Sequence, residues 1–325
     1  MQALRKKYVL MGVVLALVVT VLSACGGESK GETKGEAKEE KKAETRIVST
    51  INGDVEIPAE PKRIVALYYH HLLFAFDMKP VGANLTWWGG SPFLKDLESD
   101  GIIDVGGPPS LEKVAELDPD LIIMNSNNTE DYDQFAKIAP SVLIPYNPDN
   151  SAYDDAKLLA DILGKPDAGE QLLTRFEEKA KAAREKLHQK VDENAKVAII
   201  RIEGKGSQFS IFGYNYGRGG WSVYKGLNLK MPARIEKELN DQKAQFVPQL
   251  SIELLPEYVA DADYILVSNE GEGMDAITNS ETWKTISAVK NNKAIELDGK
   301  QYFYFDPISI EAQLDLITNL LLENS

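Results

Sequence analysis

Residues Asp167–Val191 read DAGEQLLTRFEEKAKAAREKLHQKV, directly after the break Gly164-Lys165-Pro166. Within this stretch Leu172, Phe176, Ala180, Ala183 and Leu187 recur at steps of four and three. That spacing puts one apolar stripe on a helix roughly 36 Å long at 1.5 Å per residue, long enough to cross a whole domain. On either side, short apolar runs alternate with helical patterns. Upstream the runs are Arg63–Tyr68, Pro80–Asn84, Asp120–Met124 and Ser141–Tyr146. Downstream they are Lys196–Ile202, Gln208–Phe212, Asp263–Ser268 and Lys293–Asp298. Such alternation is the signature of layered α/β structure. The expected fold is therefore two α/β lobes joined by a single long rigid helix: an N-terminal lobe over 47–150, a connecting helical segment over 151–194 and a C-terminal lobe over 195–325.

Composition narrows the function. The chain has 325 residues, 43% of them hydrophobic, which is enough to bury real cores. Its formal net charge is −14, which argues against nucleic acid as a partner, because phosphate binding needs an excess of Lys and Arg. With one Cys there is no intrachain disulfide, CxxC pair or zinc ribbon. The three histidines, His70, His71 and His188, form no HExxH or His/Cys pattern, and no GxSxG, dinucleotide or Walker glycine motif occurs. The sequence gives no positive support for an enzyme and no direct metal site. His70 and His71 are read as a strand-to-helix loop, either capping the helix or lining a cleft, and His188 as an exposed residue of the long helix.

The first 24 residues have the layout of a secretory signal: Arg5-Lys6-Lys7, an uncharged apolar run from Tyr8 to Ala24, then Cys25. Leu22-Ser23-Ala24-Cys25 resembles the lipobox of bacterial lipoproteins, which implies cleavage before Cys25 and a lipid on it. From there to residue 46 the charged, aperiodic segment is expected to be a flexible tether. The portion beyond it holds 27 basic and 44 acidic residues, a net −17, which disfavours polyanionic ligands unless a local basic pocket overrides it.

Aromatic residues interleave with glycine in segments that read as loops. These are Trp87-Trp88-Gly89-Gly90-Ser91-Pro92-Phe93, Phe212–Trp221 with Tyr214, Tyr216 and Arg218, and Tyr302-Phe303-Tyr304-Phe305-Asp306-Pro307. Glycine lets the backbone turn sharply and approach a ligand, while flat rings build a wall with polar edges. Arg218, set between glycines, is a five-donor fork suited to ligand oxygens. The 302–305 run reads equally as a strand with Tyr302 and Tyr304 on one face and Phe303 and Phe305 on the other. Ser110-Leu111-Glu112 and Ser251-Ile252-Glu253 each open a helical pattern, where a Ser cap and an early Glu suit the helix dipole.

Several of these segments together resemble the ferric-siderophore substrate-binding proteins of bacteria. They are Ile57–Leu67 (IPAEPKRIVAL), Leu111–Val114 with Leu117–Ile123, Lys137–Asn147, Tyr216–Gly220 (YGRGG) and Tyr304–Ser309. The likeness is to the hydroxamate-binding lipoproteins of Gram-positive bacteria, the ferrioxamine and ferrichrome group. It runs from about residue 47 to the end. It implies the periplasmic-binding-protein type with a helical backbone, a shallow inter-lobe cleft, and a receptor that delivers an Fe(III)-siderophore to a pair of ABC-importer permeases. No intrinsic cofactor is implied, and a lipid-anchored monomer on the outer face of the cell membrane fits docking to one transporter. By the same resemblance Arg218 contacts the hydroxamate oxygens, and Tyr216, Tyr146 and the Tyr302, Phe303 and Tyr304 segment line the cleft. Trp87, Trp88 and Phe93 belong to an N-lobe loop beside it, Tyr214 and Trp221 to the glycine-rich wall. Glu112 and Glu253 dock against the permease. Ferric citrate, a ferric catecholate and haem remain as ligand alternatives, and a surface-anchored enzyme acting on a small ligand is the remote one.

Overall fold

The computed structural model describes residues 44–271 and 273–325, with the side chains of residues 87–88 and 127–129 outside that description. The signal, Cys25 and the tether as far as residue 43 also lie outside it.

The chain enters through an antiparallel hairpin, β1 (Thr45–Thr50) and β2 (Gly53–Pro58), paired from Thr45↔Pro58 to Thr50↔Gly53. Its Val48 and Ile57 are buried, so the described fold starts at Thr45, two residues before the expected lobe boundary. The N-terminal lobe is built on β3 (Ile64–Ala66), β4 (Gly82–Ala83), β5 (Ile103–Asp104), β6 (Leu121–Asn125) and β7 (Ser141–Ile144). They run in the order β5-β4-β3-β6-β7, all parallel. Every residue of β6 is buried, as expected of a parallel strand covered on both faces.

The C-terminal lobe repeats that order. Its strands β8 (Val197–Glu203), β9 (Gln208–Phe212), β10 (Phe246–Ser251), β11 (Tyr264–Asn269) and β12 (Ala294–Asp298) lie as β10-β9-β8-β11-β12. Here β8, β11 and β12 are parallel, whereas β9 runs against both β8 and β10.

Side-chain alternation divides the apolar interior into three. Val65, Leu67, Ile122, Met124 and Leu143 form an outer core of the N-lobe. Ala198, Ile200, Ile202, Ile265 and Val267 form the outer core of the C-lobe. The opposite faces, with Ile64, Leu121 and Ile123 from one sheet and Val197, Ile199 and Leu266 from the other, belong to one central core shared by both lobes.

The connecting helix, Pro166–Leu187, lies against that central core. Proline at its first position and Asp167 in its first turn favour the start, and Arg184 and Lys186 suit its end. It buries Leu172, Phe176, Ala180 and Leu187, and Phe176→Ala would cost about 3–5 kcal/mol. The helix stops four residues short of the expected end. Both Lys190 N–H and Val191 N–H donate to the Leu187 carbonyl, at 3.0 Å each, and curl the chain into a turn. His188 is half-buried there, its Nδ1 3.3 Å from the Val191 carbonyl.

Arg175 Nε donates to Glu311 at 2.9 Å and Lys179 Nζ meets Asp315 at 2.8 Å, fastening this helix to the C-terminal helix Pro307–Glu323. A shared core and two strapped helices make large lobe rotation costly. Among the described residues no helix is long and apolar enough to cross a membrane.

Candidate functional site

A cleft of about 490 Å³ lies between the lobes. Its N-lobe wall comes from the chain just after β3 (Tyr68, Tyr69, His71) and after β7 (Tyr146, Asn147, Pro148). In the order β5-β4-β3-β6-β7 the connections leave β3 in opposite directions, and the crevice at the C-terminal ends of such strands is where open α/β sheets bind ligands. The C-lobe wall comes from the chain after β9 (Asn215, Tyr216, Arg218) and after β12 (Phe303, Tyr304, Phe305).

Two non-glycine residues in this cleft have left-handed backbones, one per lobe: Tyr69 at φ 66° and Arg218 at φ 55°. Bulky side chains adopt that region rarely, and such strain concentrates at functional sites. Tyr69 caps the helix His70–Ala75 and is buried, and its hydroxyl has no hydrogen-bond partner among the described residues. Arg218 sits between Gly217 (φ 70°) and Gly219 (φ 78°). A Cβ on Gly217 would run into the Phe303 carbonyl, so only glycine lets the two C-lobe segments touch.

Arg218 is 5% exposed, and its guanidinium is sandwiched, 4.3 Å from the Phe303 ring centre and 4.9 Å from that of Phe212. Its Nε and Nη2 donate to the two carboxylate oxygens of Glu270 at 2.8 and 3.0 Å, and Nη1 donates to the Tyr216 carbonyl at 3.4 Å. Three of five N–H groups are thereby engaged, and two remain. Tyr216 is itself held by a parallel stack on Phe246, centroids 4.7 Å apart and planes 7° apart.

The titratable groups of the cleft are shifted by burial. Desolvation, with His70 alongside, lowers the His71 pKa to about 3, so its imidazole is neutral at physiological pH. Desolvation raises Tyr68 and Tyr69, keeping both as hydroxyl donors, and it also raises Asp155 and Asp306. Glu270 goes the other way: the cost of burial is outweighed by the hydrogen bonds and charge of Arg218, then of Arg201, which hold the carboxyl below its usual range.

Two sets of contacts bridge the lobes beside the cleft. Asn215 Nδ2 donates to the Asn150 carbonyl at 2.7 Å. The hydroxyls of Ser91 and Ser309 lie 2.9 Å apart, and Tyr304 OH donates to the Gly89 carbonyl at 3.4 Å.

Of the residues singled out from sequence, the cleft brings together Arg218, Tyr216, Tyr146, Phe303 and Tyr304. Others lie elsewhere. Trp221 begins a π-helical turn, Trp221–Gly226, and packs with Tyr153, Phe176, Tyr214 and Phe305 at 5.6–6.5 Å. Tyr214 lies under Lys225 Nζ at 4.0 Å, outside the cleft lining. Tyr302 is buried, and that burial pushes its pKa up to about 12. The strand alternation for 302–305 does not hold: Gly299–Tyr302 is a helical turn and the residues after it are irregular, so Phe303, Tyr304 and Phe305 all reach the cleft. Leu94 lines it rather than Phe93, and the side chains of Trp87 and Trp88 are outside the described residues.

Glu112 and Glu253 are exposed on opposite lobes. Ser110 accepts from Lys113 N–H at 3.3 Å as a cap, while Ser251 makes no such bond. Sequence reasoning missed Glu270, Tyr69 and Asp155, which sit in no motif, and Asn215, which lies inside the glycine-rich segment but was passed over for its aromatic neighbours. Among the described residues no group of three His, Cys, Asp or Glu stands together to hold a metal ion.

Comparison with known proteins adds the family. A model of the periplasmic binding protein family matches residues 88–301. The iron(3+)-hydroxamate-binding protein YxeB of Bacillus subtilis (strain 168) is 39% identical over 323 residues, 98% of this chain and 98% of its own. The iron(3+)-hydroxamate-binding protein FhuD of the same strain is 33% identical over 310 residues, covering 94% of this chain and 95% of that one. The solved structure of FhuD2 from Staphylococcus aureus with bound ferrioxamine B aligns at a TM-score of 0.68 and 26% identity, over 81% of this chain and 99% of that one. With a family model matched over more than half of its length and relatives this similar over nearly all of it, the chain belongs to the periplasmic binding protein family.

Proposed function

We propose that this protein is the extracytoplasmic receptor of an ABC importer, capturing an Fe(III)-hydroxamate siderophore between its lobes and handing it to the permease pair. The observation that carries this reading is the cleft itself, about 490 Å³ between the lobes, which Arg218 lines together with Tyr68, Tyr69 and Tyr146. The relatives named for iron(3+)-hydroxamate binding, aligned over nearly the whole chain, support the ligand class. In such a complex three monoanionic hydroxamates balance Fe(III), so the ligand encloses its own metal and offers the receptor oxygens and apolar linkers. The two unengaged N–H groups of Arg218 suit those oxygens, with charge-assisted bonds worth roughly 1.5–3 kcal/mol each. Phe303, Tyr216 and Tyr146 supply flat apolar contact. The lining groups suit binding and release.

A lipid on Cys25 would hold the receptor at the membrane, with the tether giving it reach. Exposed Glu112 and Glu253, one per lobe, would meet basic residues of the two permease chains, so that a monomer spans the transporter mouth.

The test is quenching of intrinsic fluorescence in the full-length protein titrated with ferrioxamine B, ferrichrome, ferric citrate, a ferric tris-catecholate and haem. Saturable submicromolar quenching by the two hydroxamates is the expected result. Binding of citrate, catecholate or haem instead would overturn the ligand class, and turnover of any bound ligand would overturn the receptor reading.

A further inference from the structure

Among the described residues Arg218 is the only Lys or Arg lining the cleft, yet it is not a free positive charge. Both oxygens of Glu270 are bound to it. Glu270 Oε2 also accepts from Arg201 Nη1 at 2.8 Å, and Arg201 in turn is paired with Glu203 through Nε at 2.7 Å and through Nη2. Two guanidinium groups and two carboxylates thus form one chain of net charge zero. Phe212 lies against both cations, with the Arg218 and Arg201 guanidinium carbons 4.9 and 5.6 Å from its ring centre, and Phe246 lies 5.7 Å from Arg201. The remaining ionisable lining adds no cation, because His71 is neutral and Asp155 and Asp306 are acids. Coupled to its carboxylate at contact distance, Arg218 presents oriented N–H donors with little monopole, which recognises oxygen position without rewarding negative charge.

We infer that Glu270 is a specificity-determining residue: by neutralising Arg218 it makes the cleft select ferric complexes of zero or positive net charge and turn away polyanionic ones. This rests on the ferric-siderophore reading above and names the charge class that the site accepts. The neutral trihydroxamate core satisfies it, as does one carrying an ammonium tail. A tris-catecholate, with three dianions around Fe(III), is a trianion and finds in the cleft lining Asp155, Asp306 and an Arg218 whose charge Glu270 already offsets, with no surplus cation.

The experiment titrates wild type, Glu270→Gln, Glu270→Asp and Glu203→Gln with ferrichrome (neutral), ferrioxamine B (cationic) and a ferric tris-catecholate (trianionic) at low and high salt. Wild type is expected to bind the trianion at least tenfold more weakly than the neutral complex. In Glu270→Gln the preference shifts toward the trianion by about tenfold or more, most strongly at low salt. Glu203→Gln, which leaves the Arg218 contact intact, shifts it in the same direction by a few-fold. Glu270→Asp keeps the charge and leaves the preference where it was. An unchanged preference in both Gln variants, or an equal loss for all three ligands in Glu270→Gln, would overturn the inference. So would wild-type affinity for the trianion matching that for ferrichrome. Failure of wild type to bind either trihydroxamate would instead overturn the ligand reading itself.

Discussion

The two walls of the cleft are built on sheets of the same strand order, and each places one strained non-glycine residue at its centre, Tyr69 on the N-lobe and Arg218 on the C-lobe. Their chemistry differs. The N-lobe wall around Tyr69 is a hydrogen-bonding surface without a cation: burial keeps the Tyr68 and Tyr69 hydroxyls protonated and His71 neutral, and Asp155 beside them is an acid. The C-lobe wall carries full charges that cancel internally, with Arg218 locked by Glu270 and clamped between two rings. A ligand that satisfies both must offer oxygens on one side and little net charge on either. The pre-paired arginine costs less to order on binding than a free one, because its rotamer is already fixed.

The lobes also differ around the two residues proposed to dock, where the Glu112 helix is capped by Ser110 and the Glu253 turn is not capped by Ser251, with exposed Leu254 alongside. The largest expected effect is on transport. Replacing both residues, Glu112→Ala with Glu253→Ala, should cut cellular uptake of a ferric hydroxamate by tenfold or more while leaving affinity unchanged. The single variants measure whether the two lobes dock equally. Normal uptake in the double variant would remove both residues from the interface.

Within the cleft, Arg218→Ala should weaken hydroxamate binding by about tenfold or more, from the loss of charge-assisted bonds worth roughly 1.5–3 kcal/mol. Tyr146 is 48% exposed, and Tyr146→Ala on the opposite wall should cost only about three- to tenfold. Calorimetric titration of the two variants orders the walls, and a greater loss in Tyr146→Ala would invert the comparison.

The last effect is on stability and its dependence on pH. A His71 pKa near 3 when folded, against about 6.5 unfolded, means the unfolded chain binds more protons between those values. The neutral ring's contribution is therefore complete above pH 6.5 and declines as pH falls toward 3, by about 1–2 kcal/mol between pH 7 and 5. His71→Gln should flatten that part of the profile in denaturant melts. An equally steep decline in the variant would show that His71 is not the group responsible.

How much of this could be read from sequence follows from the kind of signal each part carries. The apolar runs of β6 and β11 and the stripe of the connecting helix are periodic and local, and they appear where the pattern puts them. The edge strand β10 escaped notice because Pro248 and Gln249 interrupt it, Gln249 with φ 57°, and the pairing register shifts between Val247 and Leu250. The hairpin β1–β2 was hidden because it begins inside the charged segment.

Arg218 stood out through its flanking glycines. Its partner Glu270 did not, being one of 50 acidic residues and 52 positions away, so that only the fold brings the two into contact. Trp221 was placed on the wall because it follows glycines, but the π-helical turn swings it into the aromatic cluster with Tyr153 and Phe176.

The central claim is that one ferric hydroxamate is gripped between the two walls. Anomalous scattering from iron, in crystals of the protein grown with ferrioxamine B, locates the metal directly. The account predicts a single iron peak in the cleft between Tyr146 and Arg218, with hydroxamate oxygens in hydrogen-bonding reach of Arg218. An iron peak outside the cleft, or a bound complex touching only one lobe, would contradict it.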